Sequence, residues 1–321
     1  MSEQVEIMRE NEVGKDKKRR RKKSRRRVVL LVLAIILIPL AIFLIDLYRR
    51  LNMTFDEMYQ PLSDAVVDVR EAEGLPPIAL GDDPISILIL GLDDGRSDAM
   101  MVATVNPNLG TTYLLSIARD TMVPISGHWS TTRINHAFAY GGIDMAVNTV
   151  QDFLNIPIDY HVTLHMNEFP TLVDSFGGVR VYNDTVEFSM GGYHFPMGYN
   201  DLSGSSAFYY ARMRFDDPRG DFGRQERQRD ILAAMINEVA GVTVITRYQQ
   251  ILDATSESML TNVSLNEMLS ISVGYNRALR NITNLTLHAP GQLINGMYLI
   301  PIPEEQRLEM SNRLRAHLEL D

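Results

Sequence analysis

The sequence predicts an α/β protein: a layered α/β/α domain with a central mixed, largely antiparallel sheet, carried behind an N-terminal single transmembrane helix. Three observations predict it. The twenty residues VVLLVLAIILIPLAIFLIDL, Val28 to Leu47, carry one charge and, at about 1.5 Å per residue, match a hydrocarbon core of about 30 Å. The short apolar runs ISILILGL, AMMVATV and YLLSIA are separated by the turn-forming stretches DDGRSD and NPNLGT, the pattern of an antiparallel meander. Beyond them, helix-like and strand-like segments alternate, and such alternation packs in layers.

The membrane segment comes first. Residues 1–27 hold twelve Lys/Arg and five Asp/Glu, whereas the whole chain of 321 residues has a net charge of −9, so the remainder carries −16. The basic run Lys15 to Arg27 outweighs Arg49 and Arg50 on the other flank, which keeps the N-terminus cytoplasmic and the rest outside the cell. A cleaved signal peptide fits less well, because its apolar region runs about 7 to 15 residues and DLYRRLNM offers no small-residue cleavage site. Four segments follow: a basic cytoplasmic tail (1–27), a transmembrane helix (28–48), an extracellular stem and linker (49–83), and an extracellular folded domain (84–321). Beside a membrane span the basic tail reads as a topology signal in contact with anionic lipid, not as a nucleic-acid site.

Composition excludes further classes. The chain has no cysteine, so disulfides and thiolate metal sites are out. No lysine follows Lys23, and all nineteen cations of residues 28–321 are arginine. No lysine can therefore serve as nucleophile or base outside the membrane.

Within the stem, Leu51 to Gly74 has helical periodicity with Pro61 as a kink, and LPPIALGDDP reads as a linker. In the meander each turn reverses the chain, so Asp93 and Asp98 flank one end of the sheet and the third strand returns to that end at Arg119 and Asp120. A helix is expected from about Gly142 to Leu154, a strand near Tyr160 to Leu164, a helix near Asn167 to Ser175, and a strand at GGVRVY. YYARMRF reads as a strand placing Tyr210, Arg212 and Arg214 on one face. The stretch after Val242, with the apolar strand MYLIPI and a terminal helix, completes the same domain.

The densest chemistry lies in ARMRFDDPRGDFGRQERQRD, Ala211 to Asp230, with six arginines and five acids. From Asp221 the pattern is helical, and the apolar stripe of Leu232, Met235 and Val239 projects back onto Gln228, Arg224 and Asp221. Arg227 and Arg229 fall on the flanks, and Asp216, Asp217 and Arg219 in a loop, where solvation is expected. An inward arginine is costly unless paired or bound to an anion. Arg224 could pair internally with Asp221 or Asp98. The anion pocket is preferred, because Arg119, Arg212, Arg214 and Arg224 exceed what nearby acids need and guanidinium forks match phosphate oxygens.

ILILGLDDGRSDAMM, LLSIARDTMVPI, RINHAFAYGG, IPIDYHV, DSFGGVRV and LSGSSAFYYARMRFDDPRGDFGRQERQ occur in this order between about residues 84 and 240, and the series resembles the successive motifs of the LytR-CpsA-Psr family. The resemblance implies a membrane-anchored extracellular phosphotransferase. Such an enzyme moves a glycopolymer, a teichoic acid, capsule or similar, from a polyprenyl pyrophosphate donor to a peptidoglycan acceptor, with membrane lipid as a further partner and Mg²⁺ or Mn²⁺ as cofactor. It also implies a long apolar tunnel for the lipid under the sheet. Carried over by motif, Asp93 and Asp98 are metal-site and catalytic carboxylates with Arg96 beside them. Arg119, Arg212, Arg214 and Arg224 hold the pyrophosphate, supported by Asp221 and Gln228, and Arg119 and Arg212 also count as catalytic. Ala118 stands where the family commonly has proline, Arg133 where lysine is common, and only four residues separate Asp93 from Asp98.

Phosphoryl transfer depends mainly on positioning and charge neutralisation, which such a set supplies, and an ionised Asp93 or Asp98 can accept the proton of an attacking hydroxyl. Two rivals use the same clamp: a hydrolase of polyprenyl pyrophosphates, and a non-enzymatic binder of anionic lipid or polymer. Other constellations fail. His161 and His165 share a strand face without an HExxH context. Ser116 and Ser189 lack the histidine and glycine elbow of a serine hydrolase.

Overall fold

A computed structural model describes residues 33, 35–239 and 242–320. The chain divides into two units, Met1–Met53 and Thr54–Asp321. In the first, residues 35–53 are helical, with Ile35, Ile36, Ile38, Ile42 and Ile45 exposed. The predicted basic tail and the start of the predicted span lie outside the described residues. Among the described residues no helix is long and apolar enough to cross a membrane.

The second unit is built on a six-stranded mixed sheet. The meander is as predicted: β1 (Ile85–Asp93), β2 (Arg96–Asn106) and β3 (Thr111–Ser116) are successively antiparallel. β6 (Tyr160–His165) and β9 (Ile282–Thr286) run parallel beside β1 and β3, and β8 (Met259–Thr261) closes one side antiparallel to β6. Both faces of β1 are covered, which is why it reads as a near-continuous apolar run and not as an alternation. On one face Leu88, Leu90, Leu92, Met100 and Val102 pack with Val147, Val150 and Leu154 of α1 (His136–Leu154). On the other, Ile87, Ile89, Met101 and Ala103 meet Leu232 of α4 (Asp221–Val239). The layered architecture is present.

Between these elements lie β4 (Met122–Pro124) and β5 (Thr131–Arg133), α2 (Phe169–Phe176), β7 (Val179–Asn183), and α3 (Gly204–Arg212). Three expectations change. YYARMRF is not a strand: residues through Arg212 form α3, started by Ser203, whose hydroxyl accepts from the Ser206 N–H. The paired tyrosines gave a strand-like signal, but an N-cap serine and alanines at Ala207 and Ala211 favour the helix. α1 begins at His136, six residues before the expected start, and is broken at Gly141 and Gly142, where Gly142 takes φ 63°. The stem is helical only to Met58, then is irregular, with a turn at residues 64–66, up to a single helical turn, Val69–Ala72. It is fastened to the sheet: Arg70 pairs with Asp159 at 2.5 Å, and Asp159 also accepts from the Ser86 N–H at 2.7 Å.

Gly204 is where α3 meets α2 most closely, and a Cβ there would lie 1.9 Å from the Pro170 carbonyl oxygen. Gly204→Ala is expected to lower the unfolding free energy by about 1–3 kcal/mol, the usual cost of overpacking. Urea titration followed by circular dichroism would show a lower midpoint.

Candidate functional site

The site forms where β1 ends and β2 begins. Gly91 pairs with Ala99 and Leu92 with Ser97, which leaves Asp98 as the extra residue of a β-bulge. A bulge re-aims the side chain at an otherwise alternating position, and Asp98 reaches Arg119 Nη1 at 2.9 Å. Asp93, at the last position of β1, accepts from Arg212 Nη2 at the end of α3. Arg212 Cζ lies over the Phe208 ring at 4.3 Å from its centroid. Behind Arg119, Asp120 takes Arg119 Nε at 3.8 Å and Arg133 Nε at 3.2 Å.

α4 brings the remaining members. Arg224 Nη2 is 2.8 Å from Asp221 Oδ1, but out of line for a hydrogen bond, since Asp221 Oδ1 and Arg224 Nε both lack a hydrogen-bond partner. The internal pair with Asp221 that the sequence offered is therefore present and incomplete. Burial pushes the Arg224 pKa down; Asp221 opposes this, and Arg119 lowers, Asp98 raises and Arg214 lowers it in turn. Those charges lie within electrostatic reach of one another. Among the described residues Arg96 and Arg214 have no ion pair. Arg214 lies 5.8 Å from the exposed Phe215 ring. Five guanidinium groups, at 119, 133, 212, 214 and 224, are thus linked by these pairs and charges to four carboxylates, at 93, 98, 120 and 221, and the local surplus is positive.

Directly beneath is an apolar cavity of about 130 Å³. Its wall includes Gly91, Ala99, Ala211 and Gln228, each within a turn or two of Asp93, Asp98, Arg212 or Arg224. Gly91 keeps it open, because a Cβ there would lie 3.0 Å from Ala99 Cβ and 3.2 Å from Met166 Sδ. The volume falls below the roughly 300–1,000 Å³ of a pocket that encloses a drug-sized molecule. Met101, Met166, Met235 and Met259 line it, however, and unbranched thioethers adapt to a guest. The cavity lies on the sheet face covered by α4, where the resemblance places a lipid tunnel.

Of the sequence candidates, Asp93, Asp98, Arg119, Arg212, Asp221 and Arg224 converge on this rim, and Arg214 is within electrostatic reach of Arg224. Gln228 lies in the cavity wall, and Arg96 stands exposed at the start of β2. Two expectations are corrected. Arg227 and Arg229 are not solvated but 2% and 4% exposed, and Asp217 is buried as well. Arg227 donates to Asp217 at 2.7 Å and to the Met213 carbonyl at 2.8 Å, with its guanidinium 5.4 Å from the Phe188 ring. Arg229 donates to Ser116 at 2.7 Å. The apolar stripe of α4 is too narrow to predict this: β7 and the 213–220 loop wrap its flanks. No sequence signal separates these two arginines from Arg224.

Metal fit turns on the donor set. Among the described residues there is no group of three or more His, Asp or Glu side chains that could hold an ion. Asp93 and Asp98 supply two hard oxygen ligands from one turn. That suits Mg²⁺, which commonly takes one or two carboxylates and completes its shell with water and substrate phosphates.

The LytR_cpsA_psr family model matches residues 49–316. The chain is 36% identical over 296 residues to the polyisoprenyl-teichoic acid-peptidoglycan teichoic acid transferase TagU of Bacillus mycoides strain KBAB4, covering 90% of this chain and 96% of that protein. It is 41% identical over 281 residues to the protein of the same name from Halalkalibacterium halodurans, covering 85% and 91%. Among solved structures, B. subtilis TagV superposes with a TM-score of 0.67 at 33% identity, covering 75% of this chain and 99% of that one.

Burial alone would raise the Asp217 carboxyl, but hydrogen bonds from the Arg219 side chain and backbone and from Arg227 outweigh it and hold the pKa below its ordinary 3.8. A depressed carboxylate contributes stability above its unfolded pKa and loses it as pH falls through the folded one. Asp217→Ala, which leaves Arg227 buried without a counter-ion, is expected to cost about 3–5 kcal/mol. Acid titration of stability below pH 3.8 should be shallower in this variant than in the parent.

Proposed function

The chain belongs to the LytR-CpsA-Psr family, and on that premise we propose that it transfers an anionic glycopolymer of the teichoic acid type from a polyprenyl pyrophosphate carrier to a hydroxyl of peptidoglycan. One observation carries the reading: a rim of surplus guanidinium charge stands at the mouth of an apolar cavity. That is the complement of an amphiphile with a doubly ionised head and a hydrocarbon tail. The printed names of the relatives, which pair a polyisoprenyl-linked teichoic acid with peptidoglycan, support the same donor and acceptor.

Each residue then has a task. Arg119, Arg212, Arg214 and Arg224 bind the pyrophosphate, with forks that match its oxygens two at a time. The orphaned Nε of Arg224 gains the acceptor it lacks. The first isoprene units enter the cavity past Gly91 and Ala99, and the methionines move aside for the rest of the chain. Asp93 and Asp98 would hold Mg²⁺, which neutralises phosphate charge when bound. With the arginines drawn onto phosphate, one of the two carboxylates is released to accept the proton of the acceptor hydroxyl. That oxygen forms a bond to the sugar-side phosphorus, the bond from this phosphorus to the bridging oxygen breaks, and polyprenyl monophosphate leaves. Membrane anchorage through residues 28–48, with the catalytic domain outside the cell, would keep the enzyme on the membrane that carries its donor.

The test uses the full chain in detergent with a polyprenyl pyrophosphate-linked sugar, Mg²⁺ and peptidoglycan fragments. Acceptor-dependent transfer is expected. Arg212→Ala and Asp98→Ala should each lower kcat about 10²–10³-fold, as loss of a preorganised electrostatic group does, and EDTA should abolish turnover that Mg²⁺ restores. Release of polyprenyl monophosphate without acceptor would identify a hydrolase instead, and tight binding without turnover a binding module.

A further inference from the structure

The opposite face of the sheet carries a feature that neither the arginine rim nor the cavity uses. The turn between β4 and β5 passes through Gly127 at φ 69° and projects His128 and Trp129 from its tip. Trp129 is 92% exposed and is the chain's single tryptophan. The His128 ring stacks at 5.3 Å from Trp129 and at 4.6 Å from Tyr140, and Tyr140 lies 5.6 Å from His136. The break of α1 at Gly141 and Gly142 turns the helix immediately after Tyr140. These four rings therefore make a row with polar atoms between them. His128 Nδ1 accepts from the Ser130 N–H at 3.3 Å, so the neutral imidazole carries its proton on Nε2, which has no partner among the described residues. His136 Nδ1 is engaged by Thr132 Oγ1 at 3.1 Å.

We propose that the row of Trp129, His128 and Tyr140, with His136 behind it, is a pyranose-binding subsite for the glycan strand that receives the transferred group. An exposed aromatic face takes the apolar C–H face of a sugar ring, and flanking N–H and O–H groups meet its hydroxyls; large solvated aromatic patches of this kind mark ligand surfaces. The row is continuous with the site: β5 runs from Thr131, beside the tip, to Arg133, which pairs with Asp120 and through it with Arg119. The sheet decides which glycan is bound. α1 covers the Leu88, Leu90 and Val102 face, while the cavity opens on the Ile89 and Met101 face under α4. The lipid-borne donor occupies the second face, which leaves the first to the acceptor. A membrane anchor would present aliphatic side chains beside the tryptophan, whereas here its chain neighbours are His128, whose ring stacks on it, and Ser130. The assignment rests on the transferase reading above.

Because Trp129 is the only tryptophan, its fluorescence reports on this row alone. The full chain in detergent is titrated with a peptidoglycan tetrasaccharide of alternating N-acetylglucosamine and N-acetylmuramic acid. A saturable change is expected, with binding weakened about fivefold to tenfold in Tyr140→Ala, the effect of losing one stacked ring. In turnover, Trp129→Ala should raise the acceptor KM more than it lowers kcat. No change with the tetrasaccharide, or a change only with phosphatidylglycerol vesicles or only with the lipid-linked donor, overturns the proposal. An unaltered acceptor KM in Trp129→Ala overturns it while leaving the transferase reading intact. If the parent transfers nothing, that reading fails, and the fluorescence titration still decides the subsite.

Discussion

Guanidinium charge held at the edge of an apolar cavity is the constraint on which the rest of the structure depends. Arginine resists deprotonation even when burial pulls its pKa down, as burial does for Arg224 and Arg229. The fold must therefore bring carboxylates to these cations or leave them waiting for an anion, and it does both. Arg227 has Asp217, a fully buried pair that fastens the 213–220 loop to α4. Arg224 has an ill-aligned Asp221, Arg119 shares Asp98 and Asp120, and among the described residues Arg214 has no carboxylate partner. The first arrangement is structural cement, and the second is a site held at positive potential.

The same contrast explains the carboxylates. Acids beside a phosphate site weaken it unless a cation intervenes, yet Asp93 and Asp98 stand among the arginines. In the free protein they are the counter-ions that make the cluster tolerable. On the proposed reading, phosphate would take over that neutralising role and leave their charge to a metal or a proton. Both pairs are part-exposed, so exchanging their carboxylates for another anion would cost less than breaking the buried pair of Arg227 and Asp217.

Much of this was legible in the sequence, and the illegible parts have physical causes. The meander could be read because turn residues at Asp94-Gly95 and Asn106 to Gly110 leave few alternatives, and its geometry alone brings Asp93, Asp98 and Arg119 to one end of the sheet. The bulge that aims Asp98 could not, since one extra residue in a ladder leaves no mark on an apolar pattern. α3 was read as a strand because aromatic residues favour strands on average, while the Ser203 cap and the packing of Ala207 and Ala211 decide otherwise. Arg224, Arg227 and Arg229 share one helix and one residue type, and only the elements wrapped around α4 sort them into rim, loop anchor and buried partner of Ser116. The cavity was expected from family resemblance, not from any residue pattern, because its wall is drawn from strands and helices spread between Ile89 and Met259.

A transfer between a membrane-borne lipid and a wall polymer demands two approaches to one phosphorus atom, because attacking and leaving oxygens lie roughly in line. A sheet with helices on both faces supplies two separated surfaces, and its strand ends are where they meet. β1 and β2 place their bulged ends at that meeting point, with α4 and the cavity on one side and the start of α1 on the other. The turn between them is short, so Asp93 and Asp98 come from a single hairpin, Asp98 on its bulge, and each meets an arginine brought by another element.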